Sequence, residues 1–534
     1  MAARREEGSE RAEPIEPDGA GRDRVLVVGL LAVVGVAALL RLPNLDAGLP
    51  QLVGPDEPTV MDQARLIAGG IAPDRFDWPP LASEILAGGM VLTPGVDAAS
   101  SPYLFARALF VAVALAVVVL AGVLGARLAG PGDGAPGRRL LAWGAAGLTA
   151  VSFLSVRLSR QVHPEHLQLL FMLASVLVAL AYDRRRRWSL AATAGALAGL
   201  AGASKYLGVL AVLPVGGAIL WSSPPWAARA RHLSLAAAAT VAGFVVGAPV
   251  ILARPAAFVD GLGYQFAHQG AAGHLGYDAE GTAWWFHLSQ SLPGNWGWPI
   301  TVAAVAGVIA AAWRGTRPQR LVLGLVVPVF VTVGLFRVRF PHYVLIVVPF
   351  LAPMAVLAAR RALGVLGLRR ARACTLAGAA VALAALPTAV DDVRLLRVGA
   401  GADTRTEAAA LVEGLPGEVW AEPYSVPLPV ADQVVASVGV NPGALGCDCF
   451  LVLSSYMEDR FRAEPARYAT AVRAYDAVRR SGEVVAVVEP TLALDYDWDL
   501  LPGWGLGRVR AGLDGGGLVT GPTLTVIDLR SPAP

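Results

Sequence analysis

Long apolar runs separated by short polar segments dominate the chain up to residue 390. A membrane-spanning helix needs about 20 mostly apolar residues, and we identify eleven runs that approach this length. The runs cover residues 24–42, 103–126, 140–157, 165–182, 189–203, 206–221, 233–253, 298–313, 319–336, 342–359 and 373–390. The pattern predicts an α-helical polytopic membrane protein with about eleven transmembrane helices.

The arginines between these runs predict the orientation of the helices. Loops on the cytoplasmic side of a membrane carry an excess of Lys and Arg. The arginine clusters fall in five loops on one side of the predicted helices, at residues 127–139, 184–187, 229–231, 314–320 and 360–372. We therefore predict a multi-pass protein of the cell membrane with a disordered cytoplasmic tail, residues 1–23. The C-terminus should be extracytoplasmic, because the number of spans is odd.

The remaining chain predicts two long outer loops and a second domain. Residues 391–534 contain short β-like runs that alternate with helical segments, which indicates a small α/β domain outside the membrane. Before it, the predicted transmembrane domain of residues 24–390 has outer loops at 43–102 and 254–297. Long loops in compact proteins usually carry function. In the C-terminal domain, a disulfide within the Cys-Asp-Cys segment 447–449 is one open alternative.

Composition excludes several classes of protein. Hydrophobic residues make up 55% of the chain and charged residues 16%, and the mean hydropathy is +0.55. Soluble domains carry about 25% charged residues, so a soluble globular class is excluded. The formal net charge of +3 gives no reason to expect nucleic acid as a partner.

Two adjacent carboxylates follow the first predicted span. The segment Gly54-Pro55-Asp56-Glu57-Pro58 places them at the outer membrane surface. One carboxylate could act as a general base towards an acceptor hydroxyl, with the other orienting it. The alternative is structural, since Asp56 could cap a helix whose first turn contains Pro58. The two interpretations are compatible with each other.

Several cations lie on the predicted outer side, where the rule for cytoplasmic loops does not place them. They are Arg157, Arg160, Lys205, Arg337 and Arg339. Lys205 is also the only lysine among 44 basic residues. Cations at the outer end of a helix bundle need an anionic partner, for which a lipid phosphate is suited. The set therefore indicates phosphate binding, whereas a single arginine could equally extend to the outer-leaflet headgroups.

Six of the seven histidines also lie on the predicted outer side. They include His163, His166, His268 and His274. A divalent metal site that combines histidines with the Asp56-Glu57 pair is one alternative, although no spacing requires it. The other alternative is that these histidines form hydrogen bonds with substrate or backbone.

The order of these parts resembles the GT-C membrane glycosyltransferases of glycosyltransferase family 39. That family contains the protein O-mannosyltransferases and the aminoarabinose transferases of lipid A. The resemblance covers about residues 24–390. It is carried by Asp56-Glu57, Pro79-Pro80-Leu81, Ser204-Lys205-Tyr206, the segment 268–292 with Trp284-Trp285-Phe286-His287, and His342-Tyr343.

The resemblance implies an inverting transfer of a sugar from a polyprenyl-phosphate donor to an acceptor hydroxyl at the outer face. It implies that Asp56 is the general base, that Glu57 supports it and that Lys205 contacts the donor phosphate. Aminoarabinose transferases carry a basic residue immediately before the Pro-Pro pair, where this chain has Trp78, so other cations must help to hold the phosphate. We assign this role to Arg160, Arg337 and Arg339. As substrate-binding residues we expect His268, His274, Tyr206, His342 and Tyr343.

The partners that follow are the donor lipid, membrane lipids and an acceptor that is a protein, a lipid or a glycan. The alternative function is a transporter or flippase of an anionic lipid or solute. Such a protein would place its ionisable residues near the middle of the membrane, in broken helices. Here they cluster in or beside the outer loops. A non-catalytic scaffold is a further alternative, and it would have no need of Asp56.

Overall fold

The computed structural model describes residues 23–49, 56–92, 101–222, 225–276, 281–399, 401–426, 433–435, 438–439, 448–491 and 519–530. Most of these residues are helical, and a small sheet lies near the C-terminus. The helices up to residue 399 are α1 (Arg24–Leu39), α2 (Glu57–Ala68), α3 (Leu81–Leu92), α4 (Ser101–Leu128), α5 (Gly134–Ala150), α6 (Phe153–Ser159), α7 (Glu165–Arg185), α8 (Trp188–Ser204), α9 (Val212–Leu220), α10 (Trp226–Gly247), α11 (Pro255–Ala267), α12 (Trp284–Phe286), α13 (Leu292–Trp296), α14 (Trp298–Arg314), α15 (Arg317–Gly334), α16 (Val348–Gly364) and α17 (Arg370–Gly399). Short 3₁₀ or π turns join or extend them at Pro131–Asp133, Tyr206–Ala211, Pro249–Leu252, His268–Ala272, His287–Ser291 and Pro341–Val347.

Every apolar run of the sequence coincides with helix, so the predicted helix positions are confirmed. The run 140–157 is divided into α5 and α6, which are bent by 57°. At the break, Asn295 Oδ1 accepts hydrogen bonds from the Ser152 hydroxyl at 2.8 Å and from the Leu154 amide at 3.1 Å. This amide oxygen satisfies donors that the interrupted helix leaves without a backbone acceptor.

The number of membrane crossings is a separate question from the number of helices. By length and apolar composition, six helices of the described residues can cross a membrane, or seven if the bent pair α5–α6 forms one span. α1, α14 and the segment Tyr206–Leu220 are apolar but shorter. The count of eleven crossings therefore stays a prediction.

Small residues allow α8 to lie close to its neighbour α10. A Cβ atom added at Gly195 would lie 2.2 Å from the carbonyl oxygen of Ala236, and one at Gly243 would lie 2.2 Å from that of Ala196. Because only glycine fits at both positions, the two backbones approach directly, as small residues permit in membrane helix pairs. On another side, the Ser175 hydroxyl of α7 donates to the Ala194 carbonyl of α8 at 2.8 Å. These contacts position the middle of α8, whose end leads into Lys205.

The C-terminal domain contains the sheet that the sequence predicted. Its elements are β1 (Ala402–Asp403), α18 (Thr404–Glu413), β2 (Val419–Ala421), β3 (Gln433–Val435), β4 (Phe450–Ser454), α19 (Ser455–Ala463), α20 (Ala469–Ser481), β5 (Glu483–Val488), β6 (Val519–Thr520) and β7 (Leu524–Asp528). Five strands have the order β3-β2-β4-β7-β5, in which β3, β2 and β4 are parallel and β7 is antiparallel to both of its neighbours. β1 and β6 form a separate parallel pair. α17 extends to Gly399, past the domain boundary that we predicted at residue 391.

The C-terminal domain contacts the segment that we predicted to be the second outer loop. Arg467 donates to the Ala272 carbonyl at 3.3 Å, and Leu275 packs against the cluster formed by α19, α20 and the sheet. Gly276 has a φ of +79°, and a Cβ atom there would lie 2.9 Å from the Cβ of Arg460. The glycine is therefore required both by its backbone conformation and by the close approach of α19. The contact holds the segment that carries His268 and His274.

Candidate active site

Asp56 lies at the N-terminus of α2, but its carboxylate does not cap the helix. Its side chain makes no capping hydrogen bond, so the structure contradicts the interpretation of Asp56 as a side-chain cap. Instead, Asp56 Oδ2 lies 3.0 Å from His163 Nε2. The side chain remains 44% exposed, which leaves the carboxylate accessible to a second molecule.

The side chains of His163 and Glu165 connect Asp56 to Lys205 through a row of polar contacts. The second ring nitrogen of His163, Nδ1, contacts one carboxylate oxygen of Glu165, and the other oxygen of Glu165 contacts the ammonium of Lys205. The side chains of His163 and Glu165 are 2% and 5% exposed. We call Asp56, His163, Glu165 and Lys205 the ionic array. It joins three elements that are distant in sequence: the start of α2, the start of α7 and the end of α8.

Aromatic rings surround the ionic array. The ring of Trp78 lies 5.4 Å from that of His163 and 5.5 Å from Lys205 Nζ, close enough for a cation–π contact. The ring of His342 lies 5.8 Å from His163 and is stacked on Phe340 at 5.2 Å. These rings, which we call the aromatic wall, reduce the contact of His163 and Glu165 with water, which strengthens the electrostatic interactions of these two buried side chains.

The other predicted substrate-binding residues extend this wall. His274 lies 5.0 Å from Phe340 and 5.2 Å from His268, measured between ring centroids. Tyr343 lies 5.0 Å from the ring of His342, and its hydroxyl accepts a hydrogen bond from Gln269 at 2.7 Å. The structure therefore brings the histidines, Tyr343 and the ionic array into one continuous group of side chains.

Tyr206 follows Lys205 directly in the sequence, and its side chain contacts Phe76 and Phe258. Its hydroxyl donates to the Phe76 carbonyl at 2.8 Å, and its ring lies 6.2 Å from Phe258. Tyr206 thereby ties the end of α8 to the segment before the Pro79-Pro80 turn. Because Trp78 lies in that segment, the contact helps to position the indole beside Lys205.

Glu57 is turned away from Asp56 and forms a different cluster. Arg107 of α4 binds both of its carboxylate oxygens, with Nε at 2.8 Å and Nη2 at 2.7 Å. The Val162 amide donates to the same carboxylate at 2.9 Å, and Arg107 also donates to the Leu45 and Ala47 carbonyls. We call this group the anchor cluster. The expected support of Asp56 by Glu57 is therefore not a direct contact between the two carboxylates.

The predicted phosphate-binding arginines are placed differently from Lys205. Arg160 donates from Nη1 to the Arg41 and Pro43 carbonyls, at 2.9 and 2.7 Å, and from Nη2 to the Asn44 carbonyl at 3.0 Å. These bonds fix the chain after α1 and direct the guanidinium to backbone. Arg337 and Arg339 lie on the segment that leads into Phe340 and His342, and the Arg337 amide donates to the Gln269 carbonyl at 2.8 Å.

The charges around Asp56 favour its ionised form. Burial raises the pKa of this carboxyl group, but the hydrogen bond from His163 and the charges of His163, Lys205 and His274 outweigh it. The net effect is a pKa below the usual value for aspartate. Asp56 is therefore ionised at neutral pH, as a general base must be.

Within the part of the chain that the structure describes, no group of three His, Cys, Asp or Glu side chains could hold a metal ion. His163 and Asp56 satisfy each other by the hydrogen bond described above. Metal dependence stays an open part of the prediction.

Comparisons with known proteins bear on part of the sequence and on the fold. The family described as dolichyl-phosphate-mannose-protein mannosyltransferase matches residues 79–250. This range includes the Pro79-Pro80 turn, the His163–Glu165 segment and Lys205. No curated protein matches the sequence significantly.

The chain is similar to several solved structures, of which the first described here gives the class of the fold. The oligosaccharyltransferase of Archaeoglobus fulgidus in its apo form superimposes with a TM-score of 0.52 at 11% identity, over 86% of this chain and 73% of that chain. ArnT of Cupriavidus metallidurans bound to undecaprenyl phosphate gives 0.46 at 16% identity, over 96% and 98%. The Pmt1–Pmt2 protein O-mannosyltransferase complex of S. cerevisiae gives 0.36 at 18% identity, over 44% and 34%.

The fold and the matched segment together define a membrane glycosyltransferase of the GT-C type. More particularly, the part of the chain from residue 79 to residue 250 is similar to the protein mannosyltransferases. The resemblance that the sequence suggested is confirmed.

Proposed function

We propose that this protein transfers a sugar from a polyprenyl-phosphate donor to an acceptor hydroxyl at the outer face of the membrane, with inversion at the anomeric carbon. The observation that carries the proposal is the accessible carboxylate of Asp56 at one end of the ionic array, with the ammonium of Lys205 at the other end. A base and a phosphate-binding cation in one cluster are the two groups that this reaction needs.

Asp56 acts on the acceptor. Its carboxylate takes the proton of the acceptor hydroxyl while the oxygen attacks the anomeric carbon of the sugar. On the opposite side of that carbon, the bond to the phosphate oxygen breaks, and its electron pair leaves with the polyprenyl phosphate. One displacement of this kind inverts the configuration, and it requires no covalent intermediate with the protein.

Lys205 acts on the donor. The leaving phosphate gains negative charge as the bond breaks, and the ammonium of Lys205 stabilises that charge in a pocket with little water. Trp78, where aminoarabinose transferases carry a basic residue, places an indole beside the ammonium. We therefore assign the main phosphate contact to Lys205, with Arg337 and Arg339 as further cations near the site.

The aromatic wall binds the sugar. His268, His274 and His342 present ring nitrogens that can form hydrogen bonds with sugar hydroxyls. The hydroxyls of Tyr206 and Tyr343 are engaged with Phe76 and Gln269, so these tyrosines shape the pocket with their rings. The contacts of Arg160 give it a structural role in the chain after α1.

The proposed topology has the N-terminus in the cytoplasm and the C-terminal domain outside. The arginine clusters support it, and so does the disulfide of Cys449, because disulfides persist in oxidising compartments outside the cytoplasm. The description of the matched family, a dolichyl-phosphate-mannose-protein mannosyltransferase, supports a polyprenyl-phosphate donor. The acceptor class, whether protein, lipid or glycan, is left open by the proposal.

Asp56→Asn tests the proposed base. Asparagine keeps the shape of the side chain and can still accept the hydrogen bond from His163, so the protein should fold and bind donor lipid. Loss of the basic group should lower the transfer rate by about 10²–10⁴-fold. The measurement is transfer from labelled polyprenyl-phosphate sugar by purified protein in nanodiscs, with membrane extract as the source of acceptor.

Asp62→Asn is the matched control for this experiment. Asp62 lies on the same helix, and it is exposed and paired with Arg65 at 2.7 Å, so the substitution makes the same chemical change away from the ionic array. It should leave the transfer rate unchanged. Near-normal turnover by Asp56→Asn would remove Asp56 as the base, whereas the absence of transfer by the wild-type protein would favour the transporter or flippase instead.

A further inference from the structure

His163 lies between two carboxylates, and this arrangement restricts its protonation state. We infer that His163 is an imidazolium ion and that, together with Glu165, it couples the binding of donor phosphate at Lys205 to the position and charge of Asp56. His163 and Glu165 are thus positioning residues of the reaction. The inference rests on the proposed function, because it assigns the base to Asp56 and the phosphate contact to Lys205.

The hydrogen-bonding capacity of the groups supports the charged form of His163. Ionised carboxylates only accept hydrogen bonds, and a neutral imidazole has one donor and one acceptor nitrogen. Both ring nitrogens of His163 contact carboxylate oxygens, Nε2 that of Asp56 and Nδ1 that of Glu165. A neutral ring would set a nitrogen lone pair against a carboxylate oxygen in one of these contacts. The doubly protonated ring donates to both.

The charges that face His163 alternate in sign. Asp56 comes from the start of α2, Glu165 from the start of α7, and Lys205, beyond Glu165, from the end of α8. His342, from the turn Pro341–Val347, and Trp78, from the segment before α3, present rings. His166 follows on α7, where its Nε2 is bonded to the Ser155 hydroxyl at 3.0 Å. In space, the charges of the ionic array alternate from the Asp56 carboxylate through the His163 imidazolium and the Glu165 carboxylate to the Lys205 ammonium. Each ion therefore has a neighbour of opposite charge.

Glu165 keeps Lys205 apart from Asp56. Without Glu165, the ammonium could pair with the carboxylate of the base, which would occupy the oxygens that must receive the acceptor proton. With Glu165 present, Lys205 has a partner until donor phosphate competes for it. When Lys205 turns to the phosphate, Glu165 still contacts His163 and keeps the imidazolium charged. Asp56 therefore stays ionised while the donor is bound.

Glu165→Gln should separate binding of the donor from chemistry. The donor phosphate no longer competes with a carboxylate for Lys205, so KM for the donor should fall. Without the charge of Glu165, the second proton of His163 is held less strongly, and His163 no longer keeps Asp56 ionised and in position, so kcat should fall by about tenfold or more. A residue with only a structural role would not lower both constants together.

His163→Gln should change the pH dependence. Glutamine still donates one hydrogen bond to Asp56 but carries no positive charge. The pKa of Asp56 then rises, because the positive charge of His163 no longer counteracts the effect of burial. Asp56 therefore takes up its proton at a higher pH than in the wild type. The acid limb of the profile of kcat/KM against pH should therefore move upward by about one unit or more. Glu84→Gln is the control, since Glu84 accepts the Val250 amide at 3.0 Å outside the ionic array and should leave the profile unchanged.

The wild-type protein gives an independent measurement of the imidazolium. With ¹⁵N-labelled histidine in nanodiscs, one of the seven histidines should show two protonated ring nitrogens at pH 7.5, and this signal should be absent from His163→Gln. Failure of that signal to appear, or a KM for Glu165→Gln equal to or above that of the wild type, would overturn the inference. If the wild-type protein transfers sugar and Asp56→Asn does not, the proposed function survives that result; an active Asp56→Asn protein would instead overturn the assignment of Asp56 as the base on which the proposed mechanism depends.

Discussion

Asp56 and Glu57 are adjacent in sequence, yet they belong to two regions with different properties. Glu57 in the anchor cluster is 1% exposed, and both of its oxygens are bonded to the guanidinium of Arg107. Asp56 in the ionic array is 44% exposed, and it is bonded to a histidine. The first carboxylate is closed to any other molecule, whereas the second is ionised and accessible.

The difference follows from the direction of the two side chains at the start of α2. Glu57 points inward to α4 and to the Val162 amide, and it connects the first outer loop to the bundle. Asp56 stands one residue earlier, where the chain enters the helix, and faces the start of α7. The anchor cluster thus holds the start of α2 against α4, and its described contacts include no side chain of the ionic array. A closed ion pair stabilises the fold, and we propose that the open array performs the chemistry.

The largest expected effect comes from breaking the anchor cluster. Arg107→Met leaves the buried carboxylate of Glu57 without its counterion, which should lower the free energy of unfolding by about 3–5 kcal/mol. Thermal unfolding in nanodiscs and the yield of folded protein measure this loss. The transfer rate per folded molecule should stay within a few-fold of the wild type, because Arg107 touches no group of the ionic array in the contacts described.

Glu57→Gln combined with Arg107→Met is the matched control. The double variant removes the unpaired charge, so it should recover part of the lost stability. A single Arg107→Met protein of normal stability but with transfer reduced a hundredfold would contradict the distinction between the two regions, since the anchor cluster would then take part in the chemistry.

An intermediate effect is expected from Lys205 in the ionic array. Lys205→Ala removes one charge-assisted contact to the phosphate, which is about 1.5–3 kcal/mol or one to two decades in kcat/KM for the donor. Lys205→Arg should recover only part of this, because the planar guanidinium does not reproduce a compact ammonium. Donor titrations of folded protein check both variants.

The stability of the Lys205 variants sharpens the same comparison. Lys205→Ala leaves Glu165 without the ammonium but still in contact with His163. We therefore expect a smaller loss of stability than for Arg107→Met. Equal kinetic constants for Lys205→Ala and the wild type would remove Lys205 from the donor site.

The sequence predicted the helices more fully than it predicted the site. Apolar runs such as 165–182 correspond to helices such as α7, because burial in lipid requires a continuous apolar segment. The sequence also made Asp56 and Lys205 candidates, the first by its place after a predicted span and the second by its rarity, and their roles stay a prediction. Their meeting through His163 and Glu165 was not predicted, since the His163-Pro164-Glu165 segment lies more than 100 residues from Asp56. No local periodicity encodes which distant side chain a carboxylate will contact.

The roles of Glu57 and Arg160 show the same limit. Charge and predicted side of the membrane are the same for Asp56 and Glu57, so only the family resemblance distinguished an expected base from its support, and it did not predict the anchor cluster. Arg160 was grouped with the phosphate-binding cations because it lies on the outer side, but its donors reach backbone carbonyls. The side of the membrane is encoded by where charges fall along the chain, while the partner of each charge is decided by the packing of the helices.

The smallest expected effect on transfer comes from Arg160. Its guanidinium donates to the carbonyls of Arg41, Pro43 and Asn44, so it belongs with the structural contacts. Arg160→Gln removes the charge and most of these hydrogen bonds, each of which contributes about 1 kcal/mol to stability. The midpoint of thermal unfolding should therefore fall, while KM for the donor changes less than about threefold. If Arg160 instead bound the donor phosphate, KM would rise by a decade or more, as for Lys205→Ala. Measuring Arg160→Gln and Lys205→Ala in one donor titration decides whether Arg160 binds the donor phosphate or only holds the chain after α1.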